Sequence, residues 1–254
     1  MAILEYNLII SGNEILSGKR SDRHVFFLSR ALERIGLACR LCVFVGDNPA
    51  DLTEHITTAM RRVPLVILTG GLGPTVADVT RPALSAATGI PLEENAQVLE
   101  AIRAGFQRMG RELKENNSRQ ALVPTSGTYF PNDHGTAPGL VFDVGDTLLV
   151  ALPGPPHELK PMVEEYMIPF LQSRFPNAPR LVAHTFCICG LGESNIESLV
   201  QEKLGSEAGL TFSYIATLGI VELTLLLPPA PKSENRMKTY TQQVRDLLGD
   251  NIYS

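Results

Sequence analysis

LVILTGGLGPTVADVT, residues 65–80, decides the fold. Leu65 to Thr69 form a continuous apolar run, the pattern of a strand covered on both faces. The chain then turns at once to Gly70, Gly71 and Gly73, with Pro74 and small polar groups after them. Glycines there free the backbone for positive φ and strip away Cβ atoms, so N–H groups can meet an anion. A helix with Pro82 in its first turn and a stop at Gly89 follows. Its N-terminal dipole favours phosphate or carboxylate, and Thr75 and Thr80 offer hydroxyls. The alternative is a tight βα turn with an Asp or Thr N-cap and no ligand. Neither the full G-x-G-x-x-G spacing nor a P-loop lysine is present.

Working outward, strands at 5–11 and 37–45 alternate with helices at 22–35 and 50–61. The helical stripes are Val25, Leu28, Leu32 and Ile35, then Leu52, Ile56, Ala59 and Met60. Such alternation predicts an α/β fold, a Rossmann-like, doubly wound, mostly parallel sheet. Beyond Gly89 the spacing predicts a helix over 95–109, an irregular stretch over 116–139, and a hairpin turning at Gly145-Asp146. A helix over 157–174 closes this half. Pro176-Asn177-Ala178-Pro179 reads as a linker between domains at 1–176 and 180–254. The second half reads β-α-β-β-α, with strands at 181–189, 210–217 and 220–227 and helices at 193–204 and 233–248; it forms a small α+β domain. Residues 251–254 have strand character.

The 254 residues suffice for one domain and a smaller one, and the net charge of −5 argues against non-specific binding to nucleic acid or anionic lipid. No apolar run reaches membrane-span length and no basic leader stands at the N-terminus, so a cytoplasmic protein with no membrane partner is expected. Cys39, Cys42, Cys187 and Cys189 lie inside strand-like runs. Positions i and i+3 of a regular strand face opposite ways, so a zinc site is set aside and buried small hydrophobes are expected.

A second polar cluster follows the first strand: Gly12, Asn13, Glu14, Gly18 and Asp22. In a parallel sheet it shares the carboxyl edge with Gly70–Thr80, where ligands of open α/β sheets bind. Acidic loops beside a phosphate-suited turn suit a divalent cation held between carboxylate and phosphates. The loop of Gly135, Thr136 and Gly139 and that of Pro153 and Gly154 add two more close-approach turns, completing a ligand crevice.

Taken together these motifs resemble the CinA (competence/damage-inducible protein A) family with its molybdopterin-binding domain. The match runs from Ile9 to about Phe170. It includes Gly12, Glu14 to Leu16 and Gly18; Gly70 to Thr75, Asp78 and Thr80; Asn117, Gln120 and Ala121; Asn132 and Gly135 to Gly139; and Leu152 to Gly154, Pro156 and Glu158. Gly190-Leu191-Gly192-Glu193-Ser194 is similar to the family's KH-like second domain. A third, nicotinamide-mononucleotide deamidase domain has no counterpart in these residues. The resemblance implies a pyrophosphatase cleaving ADP-ribose or a related dinucleotide with Mg²⁺, Mn²⁺ or Co²⁺, or a relative that binds or adenylylates molybdopterin. Asn13 stands where the family has Asp, Ala77 replaces the first Asp of a pair, and Arg23-His24 replace Thr-Asn. Losing carboxylates weakens cation holding and favours a binding protein, whereas the otherwise complete motif set favours the enzyme. Metal-dependent hydrolysis of ADP-ribose or a related dinucleotide is the expected function, with a catalytically weakened nucleotide- or molybdopterin-binding protein linked to molybdenum cofactor biosynthesis as the alternative.

Asp78 and Glu14 are the candidate catalytic and metal-ligating residues; a helix cap and a solvated loop charge are the alternatives. Gly12, Asn13, Gly70, Gly71, Gly73, Thr75, Thr80, Asn117, Gly135, Thr136, Gly139, Pro153 and Gly154 are the candidate substrate contacts. His24 is expected at the surface or behind the site rather than as a base. Lys19, Arg20 and Arg23 are a solvated face or phosphate contacts. Gly192-Glu193 puts an acid where an RNA-clamping loop would carry basic flanks, so the second domain is expected to serve packing or homodimerisation, without nucleic acid.

Overall fold

The apolar run at 65–69 forms a strand with all five residues buried. The structure is a computed structural model that describes residues 4–108, 110, 112–178 and 181–253. Two compact units emerge, Ala2–Ala178 and Pro179–Ser254, the latter grouped with Met1. The larger begins β1 (Leu4–Ser11), α1 (Asn13–Leu16), α2 (Val25–Glu33), β2 (Leu37–Val45), α3 (Pro49–Met60) and β3 (Leu65–Thr69). It continues α4 (Thr80–Thr88), β4 (Leu92–Glu94), α5 (Ala96–Arg108), β5 (Leu122–Pro124), β6 (Gly127–Phe130), β7 (Gly139–Val144) and β8 (Thr147–Leu152). Helix α6 (Pro156–Met162), a π-helical turn (Val163–Met167) and α7 (Ile168–Arg174) close it.

Its main sheet has the order β2-β1-β3-β8-β7-β6. The first four strands are parallel, and β7 and β6 add an antiparallel margin. From β1 the chain crosses to β2 on one side, then back past β1 to β3 on the other. Strand order therefore reverses between β1 and β3, and the switch opens a crevice at their carboxyl ends. Leu28 and Leu32 of α2 pack with Leu159, Met162 and Val163 on the Tyr6, Leu8 and Ile10 face. Leu52 and Ile56 of α3, with Ala83 and Leu84 of α4, cover the opposite face through Ile9, Val66 and Leu68. The fold is doubly wound, as the alternation predicts.

Three expectations need correction. The stretch at 116–139 is not irregular throughout: a 3₁₀ helix (Glu115–Ala121) leads into β5, which pairs with β4, and β6 joins the main sheet. These strands are three or four residues long, too short for alternation to register. The cysteines are not buried: Cys39 and Cys189 are exposed, and Cys42 and Cys187 are half-buried. Cys39 pairs with Tyr6 and Cys42 with Leu8, because the register skips Arg40 in a bulge. Tyr6 and Leu8 share a face, so the extra residue puts both cysteines on that same face. The 157–174 helix is interrupted by its π turn, which lies just beyond Pro161. Met109, at the end of the expected 95–109 helix, the linker residue Pro179, and Ser254 lie outside the described residues.

The smaller unit has β9 (Val182–Cys189), α8 (Glu193–Leu204), β10 (Thr211–Thr217), β11 (Ile220–Leu227) and α9 (Ser233–Leu248). Its antiparallel sheet runs β10-β11-β9. Ile196, Val200, Val244 and Leu248 of the helices pack on Phe186, Ile188, Leu223 and Leu225. Near the chain's end a short 3₁₀ turn is followed by a single bridge, Ile252 to Ile188. No described helix is long and apolar enough to cross a membrane.

Arg81 is a buried tie that sequence patterning does not reveal. It is 4% exposed, and its guanidinium donates to Leu72 O (2.6 Å), Gln120 O (3.3 Å) and Leu122 O (3.4 Å). Burial pulls its pKa down to about 10, against the pull of Asp78. The glycine-rich turn is thereby fastened to the 3₁₀ helix and β5. Arg81→Met should leave three carbonyls short of a donor and lower the urea unfolding free energy by about 3 kcal/mol. Arg81→Lys, keeping charge but losing the fork, should fall between the two.

Candidate functional site

The carboxyl ends of β2, β1, β3 and β8 lie side by side, and backbone hydrogen bonds tie them in pairs. Gly12 N donates to Val45 O (3.0 Å) and Gly70 N to Leu152 O (3.1 Å). Gly70 has φ +93°, and a Cβ there would collide with the Ser11 carbonyl. Gly71 has φ +64°, and a Cβ would strike the Thr80 hydroxyl. Glycine is required at both positions by conformation and by space.

The crevice beyond these ends has a volume of about 620 Å³. Glu14, Gly70 and Gly154 line it, together with Ser11, Lys19, Arg20, Arg23 and His24. Three cations thus face one carboxylate. The basic run at 19–23 projects into the crevice because α1 turns the chain back over the end of β1; Arg20 N donates to Glu14 O (3.0 Å). Asp22 then accepts from His24 N (3.0 Å) and Val25 N (3.1 Å), capping the start of α2.

His24 is neither a surface residue nor a free base. It is 7% exposed, with Nε2 at 2.6 Å from Gly154 O and Nδ1 at 3.0 Å from the Thr69 hydroxyl. A carbonyl only accepts, so Nε2 carries the proton and Nδ1 accepts from Thr69. The ring braces β3 against the Pro153-Gly154 turn.

The two carboxylates expected to share a cation stand apart: Glu14 lines the crevice, whereas Asp78 is engaged within its own turn. Asp78 Oδ1 accepts from Gly73 N (2.8 Å), and Oδ2 accepts from Thr75 N (2.8 Å) and Thr75 Oγ1 (2.6 Å). Asp78 braces the turn, and the cap position of α4 falls to Val79 instead. Glu14 lines the crevice; Asp78 does not. Among the described residues no group of three or more His, Cys, Asp or Glu side chains is placed to hold a metal. A divalent cation in the crevice would have Glu14 as its one lining carboxylate and would take its other ligands from phosphate or water.

The other expected contacts divide in the same way. The Thr80 hydroxyl is wholly buried and donates to Gly70 O (2.7 Å). Asn13 Oδ1 accepts from Asp47 N (3.3 Å) while Asn13 N donates to Asp47 Oδ2 (3.2 Å), a clasp joining the ends of β1 and β2. An Asp at position 13 would set two like charges side by side there. Asn117 Oδ1 accepts from Lys114 N (3.1 Å), a loop cap. Asn132 donates to Ala137 O (2.8 Å) and Glu158 Oε2 (2.6 Å), bracing the loop of Gly135 and Thr136, and Gly139 opens β7 against Phe130 and Met162. Pro153 is buried and Gly154 half-buried. Asp47 escaped the sequence reading. Its signal was the Gly46-Asp47-Asn48-Pro49 turn after β2, on the crevice edge of the sheet.

Residues 7–173 match the family model described as "Probable molybdopterin binding domain". Over 250 residues the chain is 37% identical to a competence-damage inducible protein of Symbiobacterium thermophilum, covering 97% of this chain and 59% of the relative. A counterpart in Bacillus cereus (strain Q1) is 35% identical over 245 residues, with 96% and 59% covered. The chain therefore spans 59% of the length of these curated relatives. Among solved structures it is similar to CinA of Thermoplasma acidophilum, a protein of unknown function, at 29% identity and TM-score 0.60, covering 65% of this chain and 98% of that one.

Two measurements check the bracing roles. Asp78→Asn replaces one accepting oxygen by a donor, so it should cost about 1–2 kcal/mol and speed amide exchange at Gly73 and Thr75. A metal ligand would instead leave stability intact and change cation affinity. Burial raises the Glu158 pKa, opposed by the hydrogen bond from Asn132. Its charge is thus penalised in the folded state at neutral pH, and protonation relieves the penalty as pH falls through the raised value toward 4.5. Relative to Glu158→Gln, the wild type should gain thermal stability over that descent.

Proposed function

The chain belongs to the molybdopterin-binding domain family, among its competence-damage inducible (CinA) members, and from that premise we propose that it is a binding protein for a phosphorylated nucleotide or pterin. The observation that carries the reading is the charge in the crevice: Lys19, Arg20 and Arg23 face Glu14 where Gly70 and Gly154 bare the backbone. Phosphate oxygens accept from such donors without a metal, and ammonium and guanidinium supply the countercharge. At about 620 Å³ the crevice matches the usual size of small-molecule sites. His24 and Thr80 keep its floor rigid, which lowers the ordering cost of binding.

Metal-dependent hydrolysis of ADP-ribose is the competing reading. Its support is the motif set and Glu14, the one carboxylate in the crevice lining, which could share a cation with substrate phosphates. Asp78 does not help it, being committed to Gly73 and Thr75. Chemistry then falls to one carboxylate surrounded by cations. Binding without turnover is the better account.

The test is calorimetry with AMP and with ADP-ribose, run in EDTA and again with Mg²⁺, Mn²⁺ or Co²⁺, followed by chromatography for released AMP. Binding should persist in EDTA, weaken with salt, and lose about tenfold or more in Lys19→Ala/Arg20→Ala. AMP released from ADP-ribose only with added metal would establish the enzyme reading. No binding of either ligand at millimolar concentration would remove both.

A further inference from the structure

A second cleft lies on the same unit, between α2 and the α6–π-turn segment. Its volume is about 460 Å³. Arg23, Arg30 and Arg34 enter from one wall, Lys160 from the other, and Glu164 is its one acid. None of these four cations has a carboxylate within ion-pair distance among the described residues. In a chain of net charge −5 this is a concentrated positive groove.

Helix electrostatics accounts for only part of it. Arg30 and Arg34 stand near the C-terminal end of α2, where cations are favoured. Arg23 precedes the N-cap, His24, where the dipole favours an anion instead. Lys160 belongs to another helix altogether. Arg30 and Arg34, four residues apart, repel one another on one helix face.

Aromatic rings complete the groove. Phe26 is 70% exposed, with the Arg30 guanidinium 5.4 Å from its ring centre, and Lys160 Nζ sits 5.4 Å from the ring of Phe27. The rings hold the cations in place while leaving their N–H donors free. Aromatic side chains are common in the lining of ligand-sized clefts. Arg23 lines both this groove and the crevice, so the two adjoin at that residue. Between its caps, His24 and Arg34, α2 rises about 15 Å, so Arg23 and Arg34 stand at opposite ends of it. That is the reach of a chain of phosphates, not of a single one.

We propose that the α2–α6 groove is a second anion subsite, in which Arg30, Arg34 and Lys160 take the distal phosphates of an extended nucleoside polyphosphate whose proximal phosphate lies in the crevice. The assignment rests on the crevice reading and adds the class of ligand. A small molecule is favoured over an acidic protein because the groove, at about 460 Å³, is of small-molecule size and adjoins the crevice at Arg23.

The experiment is a length series, AMP, ADP, ATP and adenosine 5′-tetraphosphate, titrated into the full chain in EDTA. Wild type should bind the tetraphosphate roughly tenfold or more tightly than AMP, the scale of one charge-assisted contact or more. Arg30→Ala/Arg34→Ala on one wall, and separately Lys160→Ala on the other, should abolish most of that gain and leave AMP affinity unchanged. Circular dichroism checks that each variant is folded, and agreement between the two walls guards against a local rearrangement. A gain that survives in both variants, or no gain in wild type while AMP still binds, overturns the subsite and leaves the crevice reading standing. Failure of AMP itself to bind overturns both.

Discussion

Everything at the crevice depends on the approach of three strand ends with no side chain between them. Gly70 is the point of contact. Its N–H donates to Leu152 O, its carbonyl accepts from the buried Thr80 hydroxyl, and its missing Cβ leaves room for the Ser11 carbonyl. A residue with a Cβ would have to push β1 from β3, and the crevice floor would part at the switch point. His24 extends this constraint by tying Thr69 to Gly154. A packed core transmits such strain poorly by bending, so the alternatives are a closed floor or a broken one.

Polar residues around that floor fall into two classes, set by how many hydrogen-bond partners each finds nearby. Asp78, Asn117, Asn132 and Thr80 are occupied by backbone groups of their own turns, and Asn13 by Asp47 of the turn after β2. Side chains spent in this way fix geometry. Lys19, Arg20 and Arg23 reach into the crevice instead, where long stems carry charge out to solvent. The result is a rim of short, hydrogen-bonded polar groups with three exposed cations beside it.

The segment after α5 shows how remote residues support the same place. Arg81 sends three donors to carbonyls of the turn, the 3₁₀ helix and β5. Its desolvation is unfavourable, as its lowered pKa records. Fixed carbonyl dipoles in a complete set of bonds offset that cost, which is how a buried guanidinium becomes tolerable. The glycine-rich turn is thus braced from below by Arg81, from within by Asp78 and from beside by Thr80.

How much of this could be read without coordinates follows from the range of each signal. Strand and helix order, the doubly wound class, the hairpin at Gly145-Asp146 and the β-α-β-β-α order of the smaller unit all rest on local periodicity, which the chain displays directly. The requirement for glycine at 70 and 71 was legible for the same reason, since turn chemistry is local. Gly70, Glu14 and Gly154 were placed on one crevice by the rule that parallel strands share a carboxyl edge. Tertiary structure alone decided which polar atoms were spent and which were free. Asp78 and Thr80 look like ligands until their partners, Gly73, Thr75 and Gly70, are located. Cys39 and Cys42 look opposed until the bulge at Arg40 turns them to one side. The meeting of α2 with Lys160, across more than a hundred residues, has no local trace at all. A sequence displays donors and acceptors one at a time, whereas hydrogen bonds and charge fields are properties of pairs, and only the fold chooses the pairs.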